Sequence, residues 1–129
     1  MIQEQYVSLE TAKLLKNKGF DEPCQFLYFA KYNTNGDFRG NFHPSKNSEI
    51  NEASYSAPTQ QMAIRWLREV HELLISINPT MDKDGFLCVT YYIWNLNTEE
   101  DAIRSDVYSM DGYEECVEAA IQYCLEHLI

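Results

Sequence analysis

The chain has 129 residues, 45% of them hydrophobic and 13% aromatic, and a net charge of −10. This is apolar mass for one core in a single domain, residues 1–129, and too much for a disordered chain. Its acidity excludes nucleic-acid binding unless the cations gather on one face, and no apolar run approaches the roughly 20 residues of a membrane span.

The opening "MIQEQYVSLE" has neither a basic start nor an apolar run, so the chain is expected to be soluble and cytoplasmic. Ser8 is placed to cap a helix over 9–18, with Glu10 in its first turn and Lys13, Lys16 and Lys18 toward its end. Gly19 then fits the left-handed residue past a helix, with Phe20 set to touch Leu15 in a Schellman stop. "CQFLYFAKY" is a short aromatic strand, and "NTNGD" has hairpin chemistry, Asn35-Gly36 supplying positive backbone dihedrals. "FRGNF" is a weaker return strand. From His43 to Ala57 the sequence has no period, so a long irregular loop is expected around 43–57.

"APTQQMAIRWLREVHELLISI" carries the strongest helical period. Pro58 suits a first turn, and Ser56 and Thr59 are both candidate caps. Met62, Trp66, Val70 and Leu73 recur on one face, with Ala63, Leu67 and Leu74 beside them, so Trp66 points inward. Arg65 and Arg68 lie off that face, each with an acid four residues on, Glu69 and Glu72. This is a core helix with a salt-bridged outer side.

"LISIN" follows as a strand ending at Pro79, "TMDKDG" turns the chain, and "FLCVTYYIWNL" is a long β-branched and aromatic strand. The segment 98–110 is compatible with helix or strand. Alternation favours a return strand over 102–110, with Ile103 and Val107 on one side and Arg104, Asp106 and Tyr108 on the other. A last helix starts with Asp111 and Glu114 at capping-box spacing and buries Tyr113, Val117, Ala120, Ile121, Cys124 and Leu128. The predicted class is α+β, a mostly antiparallel sheet with about three helices packed chiefly on one face.

Little catalytic chemistry is visible. Cys24, Cys88, Cys116 and Cys124 form no CxxC pair and suit reduced, buried positions, Cys24 after Pro23 being the most accessible. A Cys24–His43 pair requires the fold to bring the two together. His43, His71 and His127 lack metal-ligand spacing, and no cofactor is implied. Phosphate-loop, dinucleotide, nucleophile-elbow and zinc-protease motifs are absent. Charge is distributed unevenly. Residues 1–96 carry nine basic and eleven acidic side chains, a net −2, whereas residues 97–129 set Arg104 against nine acids, a net −8.

Glu99, Glu100, Asp101, Asp106, Tyr108, Glu115 and Glu118 are therefore the candidate surface for docking a basic protein partner. A solvated face with no partner is the competing reading. A nucleic-acid module using Lys31, Arg39, Arg65 and Arg68 is one alternative function, and an enzyme using Cys24 or a carboxylate pair is another. Self-association into a homo-oligomer is left open.

Together, "VSLETAKLLKNKGFDEPC", "APTQQMAIRWLREVHELLISI" and "YEECVEAAIQYCLEHL" resemble small uncharacterised proteins of phages and mobile elements from gut bacteria. The resemblance covers about half the chain and brings no catalytic residues. It implies a small cytoplasmic accessory protein.

Overall fold

Ser8 begins the first helix. Its hydroxyl oxygen accepts the Thr11 N–H at 3.2 Å, and α1 runs Leu9–Asn17. These and the following features come from a computed structural model that describes residues 2–30 and 36–129. The helix stops as its sequence predicts. The Phe20 N–H reaches the Leu15 carbonyl at 2.9 Å, the Gly19 N–H that of Lys16 at 3.2 Å, and Gly19 adopts φ +92°. Leu15 and Phe20 are both buried.

After this stop, β1 (Cys24–Phe29) pairs antiparallel with β2 (Asp37–Ser45) on one side and β3 (Ser54–Ser56) on the other. Lys31, near the end of the predicted strand, and Asn35 of the predicted turn lie outside the described residues. Gly36 lies within them at φ +63°, a left-handed backbone that favours glycine, and an added Cβ would come within 2.9 Å of Leu9 Cδ2 and push that side chain aside.

The irregular loop expected over 43–57 is corrected. β2 continues to Ser45, a 3₁₀ turn covers Asn47–Glu49, and Ser54–Ser56 form a strand. Buried Asn47 organises the segment by donating from Nδ2 to the Phe20 carbonyl at 2.8 Å and accepting the Ser56 N–H at Oδ1 at 2.9 Å. Lys16 Nζ donates to the carbonyls of Asn51 and Ser54 at 2.9 and 2.8 Å. Sequence periodicity misses this order because hydrogen bonds between residues 9 to 38 apart, rather than an apolar repeat, hold it together.

Thr59, not Ser56, caps α2 (Gln60–His71). Its hydroxyl oxygen accepts the Met62 N–H at 3.1 Å, while Ser56 stays in β3. Pro58 lies before the helix rather than in its first turn. Its carbonyl accepts the Val7 N–H at 3.0 Å, and Thr59 still forms a β-bridge to Tyr6. The predicted apolar face is narrower than expected. Ala63, Trp66 and Leu67 are buried, but Met62 is 40% and Val70 56% exposed.

The helix ends when Glu72 takes φ +56°, which sends Leu73 and Leu74 into β4 (Leu73–Met81) instead of another helical turn. The Glu72 N–H still bonds the Arg68 carbonyl at 3.1 Å, but the positive φ turns its side chain off the helical row. Glu69 receives both arginines instead, Arg65 at 2.9 Å and Arg68 at 4.0 Å.

Two compact units divide the chain, Met1–Ala63 and Ile64–Ile129. In the second, β4 pairs along its whole length with β5 (Leu87–Asn95). The strand runs through Pro79, where it was expected to end. β4 is an edge strand, so the missing proline N–H costs no ladder bond. Asp82 shapes the hairpin, its Oδ1 accepting the N–H groups of Asp84 and Phe86, with Gly85 at φ +84°.

The return strand is present but broken into β6 (Ile103–Arg104) and β7 (Tyr108–Ser109), both antiparallel to β5. α3 (Tyr113–Tyr123) and a π turn over Cys124–Leu128 close the chain. Asp111 is not the cap. It lies in a 3₁₀ turn over Met110–Gly112, and Gly112 takes the N-cap position without a side-chain bond. The buried face of α3 is Cys116, Val117, Ala120, Ile121, Cys124 and Leu125, while Tyr113 is 40% exposed. Tyr91 meets Tyr123 of α3 at 6.4 Å between ring centroids, so the odd-numbered residues of β5 face this helix. The class is α+β, with three helices and two antiparallel sheets among the described residues.

Candidate interaction surface

A bulge in the return strand decides which side chains reach the surface. Ile103 pairs with Ile93, and Ser105 holds Tyr91 through both its N–H (3.0 Å) and its Oγ (2.8 Å). Tyr108, however, pairs with Val89. Asp106 and Val107 therefore stand opposite Thr90 alone, and one extra residue reverses the alternation beyond it. The expected sidedness is corrected accordingly. Val107 is 46% exposed, and Tyr108 is half-buried on the face toward α3. Burial raises the Tyr108 phenol above its ordinary pKa, with Cys116, Asp106 and Glu115 adding to the shift.

The seven candidate residues fall into two groups. Asp106, Tyr108 and Glu115 gather where β7 meets the start of α3, with Glu118 one turn on and half-buried. Glu99, Glu100 and Asp101 are exposed in the connection between β5 and β6, beyond the opposite end of β5. The residues that β6 and β7 oppose, Ile93 and Val89, are four apart on β5, or roughly 13 Å of strand. Arg104 is on the far face of the sheet, its guanidinium 5.7 Å from the Tyr92 ring centroid. It is not interleaved with the Asp106–Glu115 group.

The β7 end also bears exposed apolar side chains outside the seven candidate residues. Met81 and Leu87 pair at the hairpin mouth and are 65% and 54% exposed, with Phe86 beside them at 69%. Met110 and Tyr113, which follow β7, are 47% and 40% exposed. A signal for this was present in Phe86-Leu87. The two stand at the very start of the strand, next to the turn residues 82–85. Asp84, Asp106, Asp111 and Glu115 are exposed in the same region, together with Lys83. The arrangement offers contact area within a negative rim.

The other candidate chemistries are not assembled in this way. Arg65 is paired with Glu69, and Arg39 is bound to Asp37 at 2.9 Å and set over the Phe29 ring. Cys24, expected to be the most accessible thiol, is buried. It donates to the Glu22 carbonyl at 3.6 Å, and desolvation pushes its pKa up to about 11. A nucleophilic thiol needs the opposite shift. The cavity beside it, about 150 Å³, is lined by Glu4, Tyr6, Phe26, Pro58 and Met62 among others, without histidine.

Cys116 and Cys124 lie eight residues apart along α3 and its π turn, roughly 12 Å of rise, too far to bridge. Burial raises both thiols, Cys124 to about 12. Native protein should therefore react slowly with a thiol reagent and release four equivalents only on unfolding. Fast stoichiometric labelling of the native state, or a disulfide found by mass spectrometry without reductant, would contradict this.

Among the described residues no group of three metal-capable side chains occurs, and no helix is long and apolar enough to cross a membrane. Comparison of the chain with protein families, curated proteins and solved structures finds no match.

Proposed function

We propose that the chain is a non-enzymatic cytoplasmic accessory protein that binds a basic segment of another protein. The binding surface is the acid-rimmed apolar end of its C-terminal sheet. The observation that supports this reading is the co-location of exposed Leu87, Met110 and Tyr113 with Asp106, Asp111 and Glu115. Apolar side chains supply contact area, and the surrounding carboxylates steer approach and select partners of opposite charge. The resemblance to proteins of phages and mobile elements fits an accessory role of this kind.

The test starts from a partner recovered by affinity capture from cells that express the chain. Its affinity should fall as salt rises, and the double variant Asp106→Lys/Glu115→Lys should weaken it by about tenfold or more. Reversal at Glu99, Glu100 and Asp101, on the other end of the sheet, should have the smaller effect. Affinity indifferent to salt and to both sets of reversals would reject the reading.

A further inference from the structure

The cavity of about 150 Å³ beside Cys24 lies wholly within the first unit, with lining residues from three segments, 4–6, 23–26 and 57–62. Backbone hydrogen bonds lock these segments together. The Gln60 N–H reaches the Gln5 carbonyl at 2.8 Å, the Ala57 N–H reaches that of Phe26 at 3.0 Å, and Tyr6 forms its β-bridge to Thr59. The walls are therefore set by the fold before any guest enters.

The lining defines what the cavity can hold. Glu4 is its one charged side chain, and no lysine, arginine or histidine accompanies it. Tyr6 and Phe26 contribute two aromatic rings, their centroids 5.1 Å apart and their planes at 65°. Phe38, outside the lining, contacts both rings, at 5.2 Å from Tyr6 and 5.0 Å from Phe26, which helps to fix their planes. Pro58 and Met62 add apolar surface. Pockets for drug-sized ligands and cofactors run to about 300–1,000 Å³, whereas a cavity of roughly 150 Å³ takes a guest the size of benzene. The space suits a head group rather than a whole cofactor.

A lone carboxylate repels anions and draws cations, and aromatic rings favour cations through their quadrupoles. A primary ammonium carries three N–H donors and a tightly held hydration shell, which proline, methionine and phenyl surfaces cannot replace. Methyl groups on the nitrogen remove those donors and present apolar surface of their own.

We propose that this cavity binds a methylated ammonium head group, with Glu4 as the opposite charge and Tyr6 and Phe26 as aromatic walls. The site stands apart from the acid-rimmed end of the C-terminal sheet and does not rest on it, so either can fail alone.

Choline, which carries a trimethylammonium head, and 3,3-dimethylbutan-1-ol, its neutral carbon analogue, have nearly the same shape and differ in charge. In the full chain with ¹³C-labelled methionine methyls, choline replacing sodium at constant chloride should shift Met62 saturably. Met81 and Met110, which belong to the second unit, should stay in place. The neutral analogue should bind at least about fivefold more weakly. Glu4→Gln, at an exposed position, should weaken choline by about threefold or more and leave the analogue unchanged. A peptide with one trimethyl-lysine identifies the source of the head group. Tighter binding than choline assigns it to a protein side chain, and equal or weaker binding to a free small cation. A Met62 methyl that does not move or moves only as Met110 does, an analogue that binds as well as choline, or full choline affinity in Glu4→Gln would overturn the proposal.

Discussion

Replacing Trp66 with alanine should lower the stability of the fold by about 3–5 kcal/mol, the usual loss when a large buried aromatic is truncated. Trp66 is 6% exposed, between fully buried Ala63 and Leu67 on the inner face of α2. Its ring meets His71 edge-on at 4.7 Å, one turn before the helix ends. His71 Nε2 is buried without a hydrogen-bond partner among the described residues, and desolvation lowers the imidazole pKa, which favours the neutral ring. Truncation would admit water to that nitrogen, so partial relief places the expected loss toward the lower end of the range.

Arg65→Ala on the same helix should change stability by only a few tenths of a kcal/mol, because its bridge to Glu69 is solvent-exposed. Urea unfolding followed by far-ultraviolet circular dichroism separates the two without relying on tryptophan emission. An unchanged midpoint in Trp66→Ala would show that the side chain is not part of the core.

Asn47→Ala should cost about 2–5 kcal/mol. The amide serves the Phe20 carbonyl and the Ser56 N–H at once, and a buried backbone group left unpaired costs about 1–3 kcal/mol. The damage should be local as well as global. Phe20 is the last residue of the helix stop and Ser56 belongs to the short strand β3, so one side chain ties the end of α1 to a sheet edge. Hydrogen exchange at the Ser56 amide should accelerate markedly in the variant. Ser48→Ala, next door, removes only an exposed hydroxyl bonded to Asp21 and should leave that amide protected. Equal protection in wild type and Asn47→Ala would reject the clamp.

Asn47 also marks the limit of what was legible beforehand. Its neighbours in sequence, Lys46 and Ser48, are ordinary polar loop residues, and nothing local distinguishes the one whose two partners lie 27 and 9 residues away. The candidate surface was legible to the same extent. Composition alone located the acid excess in residues 97–129, but it could not divide those acids between two ends of a sheet. It could not bring Leu87 and Met110 into their company either.

The sequence by itself determined those features whose causes lie within about five residues. These include the Ser8 cap, the Gly19–Phe20 stop, the glycines Gly36 and Gly85 in turns, the period that buries Trp66, and the α+β class that follows from the order of helical and alternating segments. Tertiary structure decided what depends on pairing between distant strands. Alternation states only that neighbouring residues oppose each other, and which of them faces inward is set by the partner strand's register. Between Ser105 and Tyr108 that register slips by one residue against β5, turning Val107 out and Tyr108 in. An insertion of one residue leaves no mark in local composition, yet it inverts every side chain beyond it, because the strand period is two.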